Sequence, residues 1–303
     1  VQTIKHATLT DIALIALSAL LWASAFIAIK IAVPETGPFW LAAIRVLIGF
    51  LVLLPYALYR GFMPPQGRSM WLLVIGMSLL NVVLPFLLIS WAELTIDAGV
   101  TSLLMGTGPF FALVGSHILT VDDRLTLPKL IGVLCGFTGV LVIVGIDAIE
   151  GLGSNVPAQL ACVAGALCYV AAGLLIRRID IPPGRLACLA LGISGIVLVV
   201  LAVWQDGPPP LGLSSQASVS LLYLGLLPTG FAYMLRFYLI RKIGYSTFSI
   251  GLNLIPVFGV LMGVVLLGEP LTSQIMVALI LVVFGLFIAR MKPQAGRKAR
   301  SAP

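Results

Sequence analysis

Stretches without a charge, long enough to cross a hydrocarbon layer, follow one another through this sequence almost without interruption. Read between its charged residues, the chain divides into ten windows: 12–29, 36–59 (interrupted at Arg45), 69–92, 98–121, 130–146, 151–176, 186–205, 207–235, 243–268 and 270–289. A helical span needs about 20 apolar residues. Backbone groups in lipid must be satisfied within the chain, so each window is predicted to be a helix. A β-barrel would need alternating segments of about ten residues, and the windows do not alternate. Hydrophobic types make up 60% of the 303 residues and charged types 10%, against roughly 25% charged in a soluble domain. Mean hydropathy is +1.14. These values exclude a soluble globular enzyme, a disordered chain and a disulfide scaffold. The expected fold class is an all-α membrane protein of ten transmembrane helices.

The net charge of +7 would suggest nucleic acid in a soluble protein. Here its distribution points to the bilayer. On one set of alternate connections lie Lys5; Arg60 and Arg68; Arg124 and Lys129; Arg177, Arg178 and Arg185; Arg241 and Lys242; and the five basic residues from Arg290 to Arg300. The other set carries Lys30 alone, with Glu35, Glu93, Asp97, Asp147, Glu150, Asp206 and Glu269. Lys and Arg concentrate on cytoplasmic loops, so both termini are predicted to be cytoplasmic, with the chain in a bacterial inner membrane. Ala23-Ser24-Ala25 resembles a signal-peptide cleavage site, but the alternation requires the first window as a span. Cys135, Cys162, Cys168 and Cys188 fall in apolar windows without metal-ligand spacing and read as small buried hydrophobes.

The sequence also repeats. At an offset of 147, Trp22 meets Tyr169, Lys30 meets Arg177, Trp91 meets Tyr238 and Pro109 meets Pro256. At 146, Asp123-Arg124-Leu125-Thr126 meets Glu269-Pro270-Leu271-Thr272, and Gly139 meets Gly285. Each half then holds five helices, an odd number, so the second half enters the membrane inverted. Inverted halves can exchange between two pseudo-symmetric arrangements around a central site.

These motifs resemble the drug/metabolite transporter superfamily, in particular its EamA-type ten-helix members. The resemblance rests on Leu21-Trp22-Ala23-Ser24-Ala25-Phe26 with Lys30, on Ala43-Ile44-Arg45, and on Pro109 with the acidic turn, repeated as Pro256, Gly268-Glu269-Pro270-Leu271-Thr272 and Gly285. It covers two units, 11–145 and 155–290, and the chain looks most like the YddG-type exporters of aromatic and other amino acids. It implies alternating access, a small-molecule substrate, and neither metal nor organic cofactor. The expected partners are that substrate and the lipid bilayer, with no nucleic acid, for a monomer or weak homodimer. Asp122-Asp123 departs from the Gly-Glu common at that turn.

Interrupted helices in matching positions point to a transporter's site. Pro85, Pro109, Pro228 and Pro256 each remove a helical hydrogen bond within a window and are candidate hinges. Asn81 and Asn253 are amides deep in apolar runs, able to donate to a carboxylate and accept from an ammonium. Ser24 and Ser90 are further polar candidates. Trp22, Phe86, Trp91, Tyr169, Tyr233 and Phe237 could wall a predominantly apolar site, although interfacial belts also gather Trp and Tyr. Gly132-x-x-x-Gly136 and Gly259-x-x-x-Gly263 read as packing seams. Arg45 could attract a substrate carboxylate but is expected rather to snorkel or to pair with Glu93 or Asp97; Arg236 is expected to snorkel and His117 to lie near a helix end. With no Asp or Glu near the middle of a window, transport is expected not to be coupled through a buried carboxylate. The functional expectation is export of amino acids or related small metabolites. Alternatives are broad drug/metabolite efflux, a membrane-embedded lipid-modifying enzyme and a channel. For the enzyme, Asp122-Asp123 is the one paired carboxylate; for the channel, no filter motif is evident.

Overall fold

The computed structural model describes residues 8–61, 64–111, 114, 127–149, 155–176, 178–243 and 254–288. Among these, all regular secondary structure is helical, and each of the ten apolar windows contains a helical segment. In chain order these are α1 (Leu9–Tyr59), α2 (Arg68–Ser78) running through a π-helical stretch (Leu79–Val83) into α3 (Leu84–Ala92), and α4 (Ala98–Met105). Then come α5 (Leu127–Ile149), α6 (Asn155–Ile176), α7 (Pro183–Asp206), and α8 (Ser215–Leu224) continuing through a second π stretch (Gly225–Phe231) into α9 (Ala232–Ile243). The last are α10 (Ile255–Met262), ending in a third π stretch (Gly263–Leu267), and α11 (Ser273–Ile288). Five of the described helices are long and apolar enough to cross a membrane on their own.

Helix α1 spans two windows. Its 51 residues would extend about 77 Å if straight, more than twice the roughly 30 Å of a hydrocarbon core. It breaks at Gly37, where φ is 68° and ψ 162°, a conformation essentially restricted to glycine. Pro34 and Pro38 flank the break. Trp22 and Arg45 lie on opposite sides of it, yet they bond to the consecutive residues Pro228 and Thr229. The two limbs of α1 therefore fold back on each other.

The limbs seat different clusters. The second packs Trp40, Ala43, Val46 and Leu53 against Phe86 of α3, Leu191 and Leu198 of α7 and Tyr233 of α9. The first packs Phe26, Ile29 and Val33 against Ile89, Ala98 and Leu224. A third cluster joins Leu103, Leu104 and Phe110 to Cys162, Val260 and Val282. Glycines set the closest approaches. A β-carbon at Gly230 would lie 2.8 Å from Val52 Cγ1, and one at Gly49 would lie 2.6 Å from Thr229 Cγ2. Both glycine pairs read as seams from the sequence lie in tight contacts: Gly136 faces the Phe110 ring, Gly132 offers its carbonyl to Gly285, and Gly259 and Gly263 lie against Ser102 and Glu269. The four cysteines carry no disulfide; two are buried and two half-buried.

The helix ends are tied by side chains that reach backbone groups. Lys30 Nζ donates to the carbonyls of Glu93 and Ile96 at 2.9 and 2.6 Å. Glu269 accepts from the N–H groups of Ala98 and Gly99 at 2.7 and 2.9 Å, capping α4. Glu35 accepts from Ser214 N–H and Oγ, and Ser214 caps α8. Elsewhere Thr8 and Asp11 form a capping box at the start of α1. Lys242 Nζ donates to Asp11 Oδ1 at 2.7 Å, and Arg185 donates to the Arg60 carbonyl.

Two expectations follow. Replacing Gly37 by Ala forces an L-residue into a conformation that costs about 1–3 kcal/mol and sets a β-carbon 3.3 Å from Asp206 Oδ2. Thermal unfolding of the detergent-purified variant should begin at lower temperature. The Lys242 and Thr8 hydrogen bonds hold the Asp11 carboxyl at about 2, below the ordinary 3.8. A depressed carboxylate contributes stability that is complete above its unfolded value and is lost as pH falls through its folded one. Acidifying from about pH 5 to about pH 2 should therefore cost native protein stability that Asp11→Asn has already lost.

Candidate functional site

The polar cluster forms where two helices leave regular geometry. Pro85 has no N–H to offer the Asn81 carbonyl one turn earlier, and the π stretch Leu79–Val83 lies directly before it. Pro228 lies inside the second π stretch. Such stretches turn side chains and carbonyls out of register and recur at functional sites. Trp22 Nε1 takes up the Pro228 carbonyl at 3.1 Å. The neighbouring Thr229 hydroxyl accepts from Arg45 Nε and Nη2, both at 3.3 Å.

Arg45 is the centre of this arrangement. Only 5% exposed, its guanidinium lies 4.0 Å above the Phe86 ring centroid, within cation–π distance. Tyr169 and Tyr233 both lie within its electrostatic range. The Asn81 side chain lies within hydrogen-bonding range of Tyr233, and Arg236 lies within electrostatic range of the same two tyrosines. The cluster thus draws on α1, α3, α6, α9 and both π stretches, combining residues from the two halves of the chain. No carboxylate among the described residues bonds to Arg45. That corrects the expected snorkel or ion pair with Glu93 or Asp97. The Arg236 Nε atom is enclosed, with no hydrogen-bond partner among the described residues, while the residue as a whole is half-buried.

Of the remaining candidates, Trp22, Asn81, Phe86, Tyr169 and Tyr233 converge here. Ser24 does not: its hydroxyl donates to the Leu21 carbonyl and pairs with the Tyr223 hydroxyl at 2.5 Å. Trp91 is 46% exposed, near the C-terminal end of α3. Ser90 is buried, and its hydroxyl has no partner among the described residues. Phe237 lies on α9, but its side chain is outside the described residues, as are Asn253, His117 and the turn Asp122–Thr126. Among the hinge prolines, Pro85, Pro228 and Pro256 are buried, while Pro109 is exposed, just beyond a break at Gly106-Thr107. A β-carbon at Gly106 would lie 2.9 Å from Pro256 Cγ, so the break in one window packs on the proline of the other.

Glu93 is a residue the sequence reading left in a connection. The structure buries it to 1% exposure, with neither carboxyl oxygen hydrogen-bonded among the described residues. Burial pushes this carboxyl well above the usual range, and the nearby charge of Glu269 adds to the rise, against the opposing pull of Lys30 and Arg45. A signal was available: Glu93 ends an apolar run and is followed by Leu94-Thr95-Ile96, with no further charge until Asp97.

The EamA-like transporter family model matches residues 9–145 and 156–291. The chain belongs to the EamA-like transporter family. It is a membrane transporter of small molecules rather than an enzyme. It is 28% identical to the transporter YoaV of Bacillus subtilis, covering 89% of this chain and 92% of that one. It is 24% identical to a probable terminal-alkyne amino-acid exporter of Streptantibioticus cattleyicolor over 95% of both chains, and to the inner membrane transporter YedA of Escherichia coli over 90% of both. A crystal structure superposes with a TM-score of 0.67 at 22% identity, over 92% of this chain and 98% of the other, and so shares this EamA-like fold.

Replacing Thr229 by Val removes the hydroxyl acceptor of a buried cation at nearly constant volume. An unsatisfied buried donor costs about 1–3 kcal/mol, more for a charged one, so Thr229→Val should unfold at lower temperature than the native protein, and Thr229→Ser should recover most of the loss.

Proposed function

We propose that this transporter exports neutral amino acids, aromatic ones among them, or related small metabolites across the cytoplasmic membrane by alternating access. The observation that carries the reading is the buried Arg45 guanidinium. It is set against Thr229, Phe86, Asn81 and the Tyr169/Tyr233 pair, without a carboxylate partner among the described residues. A buried cation without its counter-charge is costly; a substrate carboxylate supplies that charge, and the aromatic rings accept an apolar side chain. Its similarity to a chain named as a probable amino-acid exporter favours the same class.

In this reading 11–145 and 155–290 are two inverted five-helix units, giving ten spans with both termini cytoplasmic. The π stretches support it: at the offset of 147, residues 79–83 fall on 226–230, within the second stretch. The ties between helix ends support it too. Glu35 with Ser214, Trp40 with Gly207, and Glu269 with Ala98 join connections poor in Lys and Arg. Asp11 with Lys242, and Arg60 with Arg185, join the basic ones.

The test is uptake of radiolabelled phenylalanine by proteoliposomes, with unlabelled competitors. 3-Phenylpropionate, which keeps the carboxylate, should compete, and phenethylamine, which lacks it, should not. Loss of a charge-assisted hydrogen bond worth about 1.5–3 kcal/mol should lower uptake by Arg45→Ala roughly 10- to 100-fold. Equal competition by phenethylamine would remove the carboxylate from Arg45, and absence of phenylalanine uptake would refute the substrate class.

A further inference from the structure

Phe86, Ser90 and Glu93 follow one another at spacings of four and three, so they share one face of α3 and its C-terminal end. The face runs from the ring beneath Arg45 to the helix end that Lys30 holds. Ser90 and Glu93 are both buried, and neither their hydroxyl nor their carboxyl oxygens find a hydrogen bond among the described residues. Native proteins satisfy the great majority of buried polar side chains, so two adjacent exceptions call for an explanation.

We propose that Glu93 is a proton-binding site, and that each export cycle carries one proton inward on its carboxyl group. The proposal builds on the transport reading above. An ionised carboxylate at 1% exposure without donors is several kcal/mol too costly and takes up a proton instead. Three charged side chains influence its ionisation, Lys30 and Arg45 from the two limbs of α1 and Glu269 from beyond α10, and Glu93 in turn acts on the thiol of Cys162 on α6. The nearest ammonium is already engaged, because Lys30 donates to the main-chain carbonyls of Glu93 and Ile96.

The surroundings also show how this affinity for a proton can change. Beside Glu93, α4 is held to the end of α10 by small residues and by the Glu269 cap on Ala98 and Gly99. Parting that seam wets Glu93 and frees the Lys30 ammonium to turn from the carbonyls to the carboxylate. The bound proton then leaves to water, and Glu93 remains ionised beside Lys30. A ligand shifts a conformational equilibrium only through its different affinity for the two states. A carboxyl sealed in one and wetted in the other meets that condition.

Two measurements on the full-length protein in lipid test the proposal. Infrared difference spectra should show a protonated-carboxyl C=O band at neutral pH that is absent from Glu93→Gln and shifted in Glu93→Asp. In proteoliposomes, an acid-inside gradient of one pH unit should raise phenylalanine accumulation up to about tenfold for one proton exchanged per substrate. The ratio of accumulation with the gradient to accumulation without it should fall to one in Glu93→Gln. A carboxyl band unchanged by Glu93→Gln, or a gradient ratio equal in native and variant proteins, overturns the proposal. The band requires no substrate: if phenylalanine is not transported but the band is lost in Glu93→Gln, the substrate reading fails and the proton site stands.

Discussion

Backbone polar groups that water cannot reach must be bonded from within the chain, and this one requirement shapes the protein wherever a helix is not regular. Regular helices meet it locally. At a π stretch, a break or a helix end the freed groups need a side chain from elsewhere, and the structure supplies one repeatedly. Trp22 takes the Pro228 carbonyl, Trp40 that of Gly207, Lys30 those of Glu93 and Ile96, and Gln274 that of Val142. Glu269 takes the first N–H groups of α4. Most of these bonds join residues far apart in sequence, so the irregular positions are also where the two halves of the chain are held together.

The Arg45 cluster and the ties use the same irregularities. The π stretch that exposes the Pro228 carbonyl also turns Thr229 toward Arg45, while Gly49 and Gly230 allow the second limb of α1 to approach it. A transporter has to break and remake contacts between its halves, and side chains bonded to helix ends can exchange partners at lower cost than a packed apolar core. The central site and the carboxyl of Glu93 lie on one face of α3, so a movement of that helix against its neighbours is felt at both.

Much of this was legible in the residue order. Each uncharged window contains a helical segment, and the glycine pairs marked the seams, because both depend on local chemistry and on period; the reversal at Gly37 was not read from the sequence. Asn81, Phe86, Tyr169 and Tyr233, candidates from the sequence, lie together around Arg45. Trp91 was read as either cavity wall or interfacial belt, because an aromatic residue near a window's end has the same composition signal whether it turns inward or outward. Arg45 and Glu93 were misplaced for a related reason. Charge near the end of an apolar run is normally drawn to water, and the sequence does not show that neighbouring helices close over both.

The sequence by itself determined that this chain is helical, built for lipid and divided by its charges into ten apolar lengths. Those properties follow from the free energy of placing each residue type in hydrocarbon or water, which is a property of the residue. The tertiary structure alone decided that Arg45 bonds to Thr229 and lies above Phe86 rather than pairing with an acid, and that Glu93 is sealed. Those depend on helix rotation and on how closely backbones approach, which are set by contacts between residues far apart in sequence, Arg45 and Thr229 among them.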